Sequence, residues 1–377
     1  MRYAACGKII HVMLDEKFND MAIRQFEEVG AGINEYWVTS NTLVYTKSHL
    51  ARKCRQKDLV LQLSRPEVKG VIFHSLPSMR YGLLRMIPED KCVVWLGWGY
   101  DYYSLLNHEN EDSRILAKTN LLQTPSLSRR AKKTAICIFN KFRPSIAANI
   151  SDLKRVDYFS PVLDIEYEMV RRHVPLTAKY VPWNYGTAED DLSQPNMGLS
   201  AGINILAGNS ASASNNHVEL FEAIRNQVDL TGRKVFAPLS YGDSDYRHKV
   251  ISQGQRILGD AFVPLIEFMP KEKYLETIRS CGFIMMNHLR QQALGNICMA
   301  MLMGAKVYLN DKNPLSNWLG LRGAVFGSID KLDMEPLSIE AREKNYRLIH
   351  SHWGRNAQRQ KTRRLLEVIF DRGIFCE

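Results

Sequence analysis

Short apolar runs alternate with longer polar segments along almost the whole chain. Lys8-Ile9-Ile10-His11-Val12-Met13-Leu14 reads as a first strand, followed by a polar loop and a helix over about 19–29. Further strands are predicted at Asp58–Leu63, Gly70–Ser75, Cys92–Gly97, Asp157–Val162 and Lys179–Val181. The stretch Gly186–Asn196 is polar, carries Gly and Pro and lacks periodicity, so it predicts a linker. A second series of strands follows at Ile203–Ala207, Lys234–Pro238, Phe262–Phe268, Phe283–Met286 and Lys306–Leu309. Its helices are expected to begin near Asn216, Tyr246, Lys271, Ala293 and Leu315, and Ser338–Phe370 is rich in charged helix formers. Strand–helix alternation predicts parallel, doubly wound sheets. The expectation is therefore an α/β chain of two Rossmann-like domains, over 1–190 and 200–335. The helices of 336–377 are expected to cross back to the first domain.

The second series holds the most informative segment, Asn287-His288-Leu289-Arg290-Gln291-Gln292-Ala293-Leu294-Gly295-Asn296. It lies between the strand ending at Met286 and a helix running towards Gly304, the place where open α/β sheets bind ligands. A helix start offers free N–H groups and a positive dipole end to a phosphate, and Arg290 adds a planar fork for its oxygens. The loop Gly208-Asn209-Ser210-Ala211-Ser212-Ala213-Ser214-Asn215-Asn216-His217 follows the first strand of the same series. Gly208 permits a tight turn, small side chains let backbone N–H groups reach a diphosphate, and Asn215 or Asn216 would cap the following helix. A solvated, capped loop is the plainer alternative. No Gly-Lys-Ser/Thr ending is present, so this is not a Walker A loop. Tyr241 and Gly242, and Phe268, Met269 and Tyr274, lie at the two neighbouring strand ends, where a base could stack; core packing is the alternative for Phe268 and Tyr274. Asp243-Ser244-Asp245 has a metal-binding spacing, but its place before a helix favours capping.

Composition narrows the partners. The chain has 377 residues, 45% apolar, and a formal net charge of +10, which suits a phosphorylated ligand or an anionic membrane surface. No nucleic-acid-binding motif is present, so no nucleic-acid partner is expected. No run of eighteen apolar residues occurs, and the N-terminus lacks the apolar core of a signal peptide; a cytoplasmic protein is expected. The seven cysteines form no CxxC pair, which predicts reduced core residues rather than a zinc site. Between Thr124 and Ser145, the basic residues Arg129, Arg130, Lys132, Lys133, Lys141 and Arg143 are interleaved with Ile136, Ile138, Phe139 and Phe142. Near an anionic leaflet each basic residue contributes about 1 kcal/mol. This segment is read as docking the protein on the cytoplasmic face of the inner membrane, with an ordinary solvated helix as the alternative. The basic residues Arg355, Arg359, Lys361, Arg363 and Arg364 are read as a helix packing back across the domains.

Gly208-Asn209-Ser210-x-Ser212-x-Ser214-Asn215-x-His217, the turn Tyr241-Gly242-Asp243 and Arg290-x-Gln292-Ala293-Leu294-Gly295-Asn296 resemble one bacterial family. It is the TDP-N-acetylfucosamine:lipid II N-acetylfucosaminyltransferases of enterobacterial common antigen assembly, glycosyltransferase family 56. The resemblance is best over roughly 200–315; in the first half it rests on Val94–Tyr103, whereas the loop Leu14–Asn19 departs from the family. It implies a GT-B fold, two Rossmann-like domains facing a cleft, and inversion at the anomeric carbon without a metal or cofactor. It further implies transfer of a deoxyamino sugar, 4-acetamido-4,6-dideoxygalactose, from its dTDP donor to a lipid-diphosphate-linked saccharide in common-antigen or O-antigen synthesis. A sugar-nucleotide epimerase of similar two-domain fold is the alternative, and a sugar-binding protein a third.

An inverting transfer needs one general base for the acceptor hydroxyl. Asp101, which ends a strand after Trp98-Gly99, is the first candidate, with a turn cap as its plainer role. Asp15 is second, His11 third and Glu16 a weak fourth; His11 lies inside a strand, where a satisfied core histidine is a commoner role than a base.

Overall fold

The computed structural model describes residues 7–40, 42–106, 114–123, 149–193, 198–200, 202–267, 269 and 271–371. These form two units. The first contains the described residues of 1–108, 137–187 and 352–377, and the second those of 109–136 and 188–351.

The sheet of the first unit has seven strands: β1 (Lys8–Met13), β2 (Asn34–Val38), β3 (Ala51–Lys53), β4 (Val68–His74), β5 (Cys92–Leu96), β6 (Tyr158–Ser160) and β7 (Lys179–Tyr180). Their order is β3-β2-β1-β4-β5-β6-β7, and every pairing is parallel. Helices cover both faces, which is why β1 reads as a continuous apolar run rather than an alternating one. Ile10 and Val12 join Phe73, Trp95 and Phe159 in one core. Ile9 and Met13 point the opposite way, towards Phe26, Leu365 and Ile369.

The second unit repeats this plan with β8 (Asn204–Ala207), β9 (Val235–Pro238), β10 (Phe262–Leu265), β11 (Cys281–Met286), β12 (Lys306–Leu309) and β13 (Gly327–Ser328). The order is β10-β9-β8-β11-β12-β13, again all parallel. In each sheet the connections reverse direction once, between β1 and β4 and between β8 and β11. Ligand crevices in open α/β sheets form at the carboxyl ends of such a strand pair.

Several expectations need correcting. Asp58–Leu63 is not a strand but part of the helix Gln56–Leu63. Leu59 and Leu63, four apart, are fully buried, whereas Leu61 between them is 71% exposed, a helical rather than a strand periodicity. The short strands β2, β3 and β13 were not anticipated. Residues 114–123 belong with the second unit, held there by Glu219, which accepts hydrogen bonds from the Lys118 and Thr119 backbone N–H groups. The helix Arg355–Asp371 packs in the first unit, where Trp183 Nε1 donates to Thr362. Most of the preceding helix, Ile339–Trp353, stays in the second unit.

Candidate functional site

In the second unit, Met285 of β11 pairs with Ala207 of β8, and Gly208 N–H donates to the Met285 carbonyl at 2.9 Å. The loops that follow these two strands therefore start side by side. Gly208 has φ +75°, and a Cβ there would lie 2.9 Å from Asn215 Oδ1 and 3.0 Å from His217 Nε2. Only glycine fits this turn.

Asn209 links the two loops. Its Oδ1 accepts from His288 Nε2 and from Gln292 Nε2, each at 3.1 Å. Its Nδ2 donates to the Tyr241 hydroxyl at 3.0 Å. Asn215 braces the same turn: its Oδ1 accepts from Asn209 N–H at 2.8 Å and from His288 Nε2 at 3.0 Å, while its Nδ2 donates to the Ser210 and Ser212 carbonyls. Ser214 donates to Gln292 Oε1 at 2.7 Å and contacts the Ser212 hydroxyl at 3.0 Å. Gly242 lies against Ala211, with φ +116°. Thus Gly208, Asn209, Ser210, Ser212, Asn215, Tyr241, Gly242, His288 and Gln292 form one connected group.

Asn216 stands at the N-cap position of the helix His217–Gln227, but its side chain does not cap. Its backbone is left-handed, and its carboxamide instead accepts from Leu116 N–H at 2.7 Å and donates to the Asn287 carbonyl at 2.9 Å. Ala293, which precedes the helix Leu294–Leu302, is left-handed as well, at φ 59°. Such conformations cost non-glycine residues energy and persist where the surroundings impose them. Ala293 offers no side-chain cap to the first turn at Leu294, Gly295 and Asn296, at the switch point. Gly295 is exposed, and Leu294 and Asn296 are half-buried.

On sequence, His217 and His288 are both candidates for contacting the donor, and His288 for stabilising its diphosphate. Both are fully buried. Burial holds each imidazole down at about 3, so both are neutral. Both acceptor oxygens facing His288 Nε2 belong to amides whose nitrogens donate elsewhere, so Nε2 carries the proton. His288 therefore shapes the two loops and brings no charge. Arg290, half-buried beside it, is the cation of this segment. Met269 is half-buried, and Tyr274 lies within electrostatic range of Tyr241. Phe268 and the basic segment 129–143 lie outside the described residues. Asp243 accepts from Tyr246 N–H at 2.8 Å, so it caps the helix Ser244–Leu258.

In the first unit, Asp101 is 2% exposed. Its carboxylate accepts from Leu76 N–H, Trp95 Nε1 and Trp98 N–H at 2.8–2.9 Å. Burial raises its pKa, and these hydrogen bonds oppose the rise. Asp15 accepts from the N–H groups of Val44, Tyr45 and Thr46 and from the Thr46 hydroxyl, which hold its pKa below the usual carboxylate range. His11 sits in a buried chain: its Nε2 contacts Asn34 Oδ1 at 3.1 Å, its Nδ1 contacts His74 Nε2 at 2.9 Å, and His74 Nδ1 contacts the Tyr185 hydroxyl at 2.9 Å. Asn34 donates through Nδ2 to Glu27, so its Oδ1 accepts and His11 Nε2 carries the proton. The His11 Nδ1 lone pair is then occupied by His74. Burial holds His11 down at about 3. Three of the four candidate bases, Asp101, Asp15 and His11, are thus engaged in hydrogen bonds within the fold.

Sequence reading missed Asn310, whose Nδ2 donates to Asn287 Oδ1 at 2.8 Å. It follows β12, and its place at a strand end was the available signal. It also missed Leu116 and Thr119, which contact the second unit's loop and helix from about 100 residues upstream; no local pattern marks them.

A family model described as 4-alpha-L-fucosyltransferase glycosyl transferase group 56 matches residues 150–345, just over half of the chain. Among solved structures, the chain is similar to the N-terminal domain of a Candida albicans trehalose-6-phosphate phosphatase, at TM-score 0.62 and 11% identity over 97% of each chain. It is also similar to an α,α-trehalose-phosphate synthase (UDP-forming) from Burkholderia xenovorans, at TM-score 0.58 and 10% identity over 97% of this chain and 100% of that one. A glycosyltransferase involved in avilamycin A biosynthesis matches at TM-score 0.50 and 12% identity, over 98% and 99%. At these identities the likeness establishes the fold, which is GT-B.

Proposed function

The chain belongs to the 4-alpha-L-fucosyltransferase family, glycosyl transferase group 56, and is a glycosyltransferase; on that premise we propose that it moves a deoxyamino sugar from a dTDP donor to a lipid-diphosphate-linked saccharide, with inversion and without a metal. The sugar suggested by the family is 4-acetamido-4,6-dideoxygalactose, and the setting a bacterial surface polysaccharide.

One observation carries the donor half of this reading. The loops after β8 and β11 are locked together through Asn209, Asn215 and His288 beside a helix start that Ala293 leaves without a side-chain cap. A rigid cradle of N–H groups with Arg290 at its edge suits a diphosphate, whose negative charge grows as the sugar departs. Tyr241, 52% exposed and hydrogen-bonded to Asn209, offers a face for the base. Asp243 is engaged as a cap, so a cation would have to displace a helix contact to use it. Among the described residues no helix is long and apolar enough to cross a membrane; a lipid-linked acceptor would be met at the membrane surface, and the basic segment 129–143 is the proposed contact.

The test is incubation with dTDP- and UDP-sugars plus polyprenyl-diphosphate saccharides, read by mass spectrometry. Acceptor-dependent gain of one sugar is expected with dTDP donors. Epimerisation or hydrolysis without transfer would sink the reading.

A further inference from the structure

The first unit has its own switch point, at the carboxyl ends of β1 and β4, and its carboxylates there are almost all spent on the fold. Asp101 accepts three hydrogen bonds and Asp15 four. Asp20 accepts from Lys47 and Ser48 N–H, and Asp164 caps the helix after β6 through Ile165 N–H. Glu16 differs. It follows β1 directly, is half-buried, and among the described residues nothing donates a hydrogen bond to its carboxylate. A carboxylate in that position keeps its lone pairs for a ligand.

We propose that Glu16 is the general base that takes the proton from the acceptor hydroxyl. Phe18, two residues on, begins a cluster of aromatic rings. Phe18 meets Trp98 edge-on at 5.5 Å, and Trp98 meets Tyr100 at 6.3 Å and Tyr185 at 5.4 Å. Tyr100 is 44% exposed, its hydroxyl is 2.9 Å from Ser75 Oγ, and it lies within electrostatic range of Glu16. Such rings suit the apolar face of a sugar. The neighbours also tune the group. Partial burial and the Asp15 charge push the Glu16 pKa above its ordinary value, against the pull of Lys17. A raised pKa brings a carboxylate closer to the value a base needs near neutrality.

This assignment rests on the transferase reading above. As the acceptor oxygen forms its bond to the anomeric carbon, its proton passes to the Glu16 carboxylate. The bond from that carbon to the donor phosphate breaks, and its electron pair leaves with the nucleotide diphosphate. Glu16 then returns the proton to water. The neighbouring Asp15 takes no part: its hydrogen bonds to residues 44–46 fix the loop beside Glu16.

The test compares Glu16→Gln and Glu16→Asp with the unaltered chain, using dTDP-4-acetamido-4,6-dideoxygalactose and a short-chain prenyl-diphosphate disaccharide. Thermal unfolding and dTDP affinity are measured in parallel. Glu16→Gln is expected to lower kcat about 100-fold or more, with dTDP affinity and unfolding temperature unchanged. The acid limb of the wild-type kcat/KM profile, where Glu16 titrates beside Asp15, Lys17 and Tyr100, should vanish. Glu16→Asp should retain part of the activity and keep that limb. If Glu16→Gln stays within about fivefold of wild type, or loses only KM, the assignment is overturned while the transferase reading stands. If the unaltered chain transfers no sugar to any acceptor, both fall together.

Discussion

His288 Nε2 lies 3.0 Å from Asn215 Oδ1, a hydrogen bond between residues 73 apart in the chain that ties the loop after β8 to the loop after β11. The same Nε2 reaches Asn209 at 3.1 Å. One neutral, buried imidazole therefore holds both halves of the cradle. His288→Ala would leave both amide oxygens without this donor. Losing a partner to buried polar groups costs about 1–3 kcal/mol, so dTDP affinity should fall at least tenfold and the unfolding temperature should drop. Calorimetry checks both; unchanged affinity would argue against a cradle at this place.

Gly208→Ala tests the turn from the other side. The left-handed conformation costs alanine about 1–2 kcal/mol, and the new Cβ would press on Asn215 Oδ1 and His217 Nε2 at 2.9 and 3.0 Å. The expected outcome is lower stability together with lost nucleotide affinity. A variant that binds dTDP as well as wild type would show that the turn is not part of the donor site.

Arg290→Ala should weaken dTDP-sugar binding and slow transfer together, because the same charge that holds the diphosphate stabilises its departure. Steady-state kinetics with varied donor would show a higher KM and a lower kcat. A change in acceptor KM alone would place Arg290 elsewhere in the mechanism.

Stability should depend on pH through the buried histidines. His11, His217 and His288 are held at about 3, against an ordinary 6.5, and His74 also lies well below it. Between those values each is neutral when folded and protonated when unfolded, so the unfolded state binds more protons and stability rises with pH. Each such histidine contributes about 1.4 kcal/mol per pH unit in that window. Their contribution is fully present above pH 6.5 and is lost as pH falls below it. Thermal unfolding between pH 7 and 5 should show a steep decline, and a flat profile would contradict the buried, neutral state of this set.

Transfer should survive chelation by EDTA, because Asp243 is committed to capping a helix through Tyr246 N–H. A divalent-cation requirement that disappears in Asp243→Ala would instead assign the Asp243-Ser244-Asp245 run to a metal.

Much of the fold was legible. Strand–helix alternation along the chain is enough to predict two parallel sheets, because parallel strands need helical crossovers. The elements that failed were short or ambiguous. Residues 58–63 carry an apolar run that fits a strand on paper, yet Leu59 and Leu63 are buried, Val60 packs partly buried beside them and Leu61 faces out, the pattern of a helix. The loops after β8 and β11 were also legible as turns, because glycine, asparagine and serine at a strand end mark a turn that a helix follows.

By itself the sequence determined where chemistry could sit: two switch points, one with an amide-rich cradle and one with several acids after β1 and β5. Only the tertiary structure decided which of those groups is available. Asp15 is satisfied by Thr46, 31 residues away, Asp101 by Leu76, 25 residues away, and His11 by His74, 63 residues away. Whether a polar side chain is spent on the fold or left for a ligand depends on donors and acceptors brought near by packing. No local pattern records them, which is why Glu16, the least conspicuous of these acids in the sequence, becomes the proposed base once the structure shows no donor to its carboxylate among the described residues.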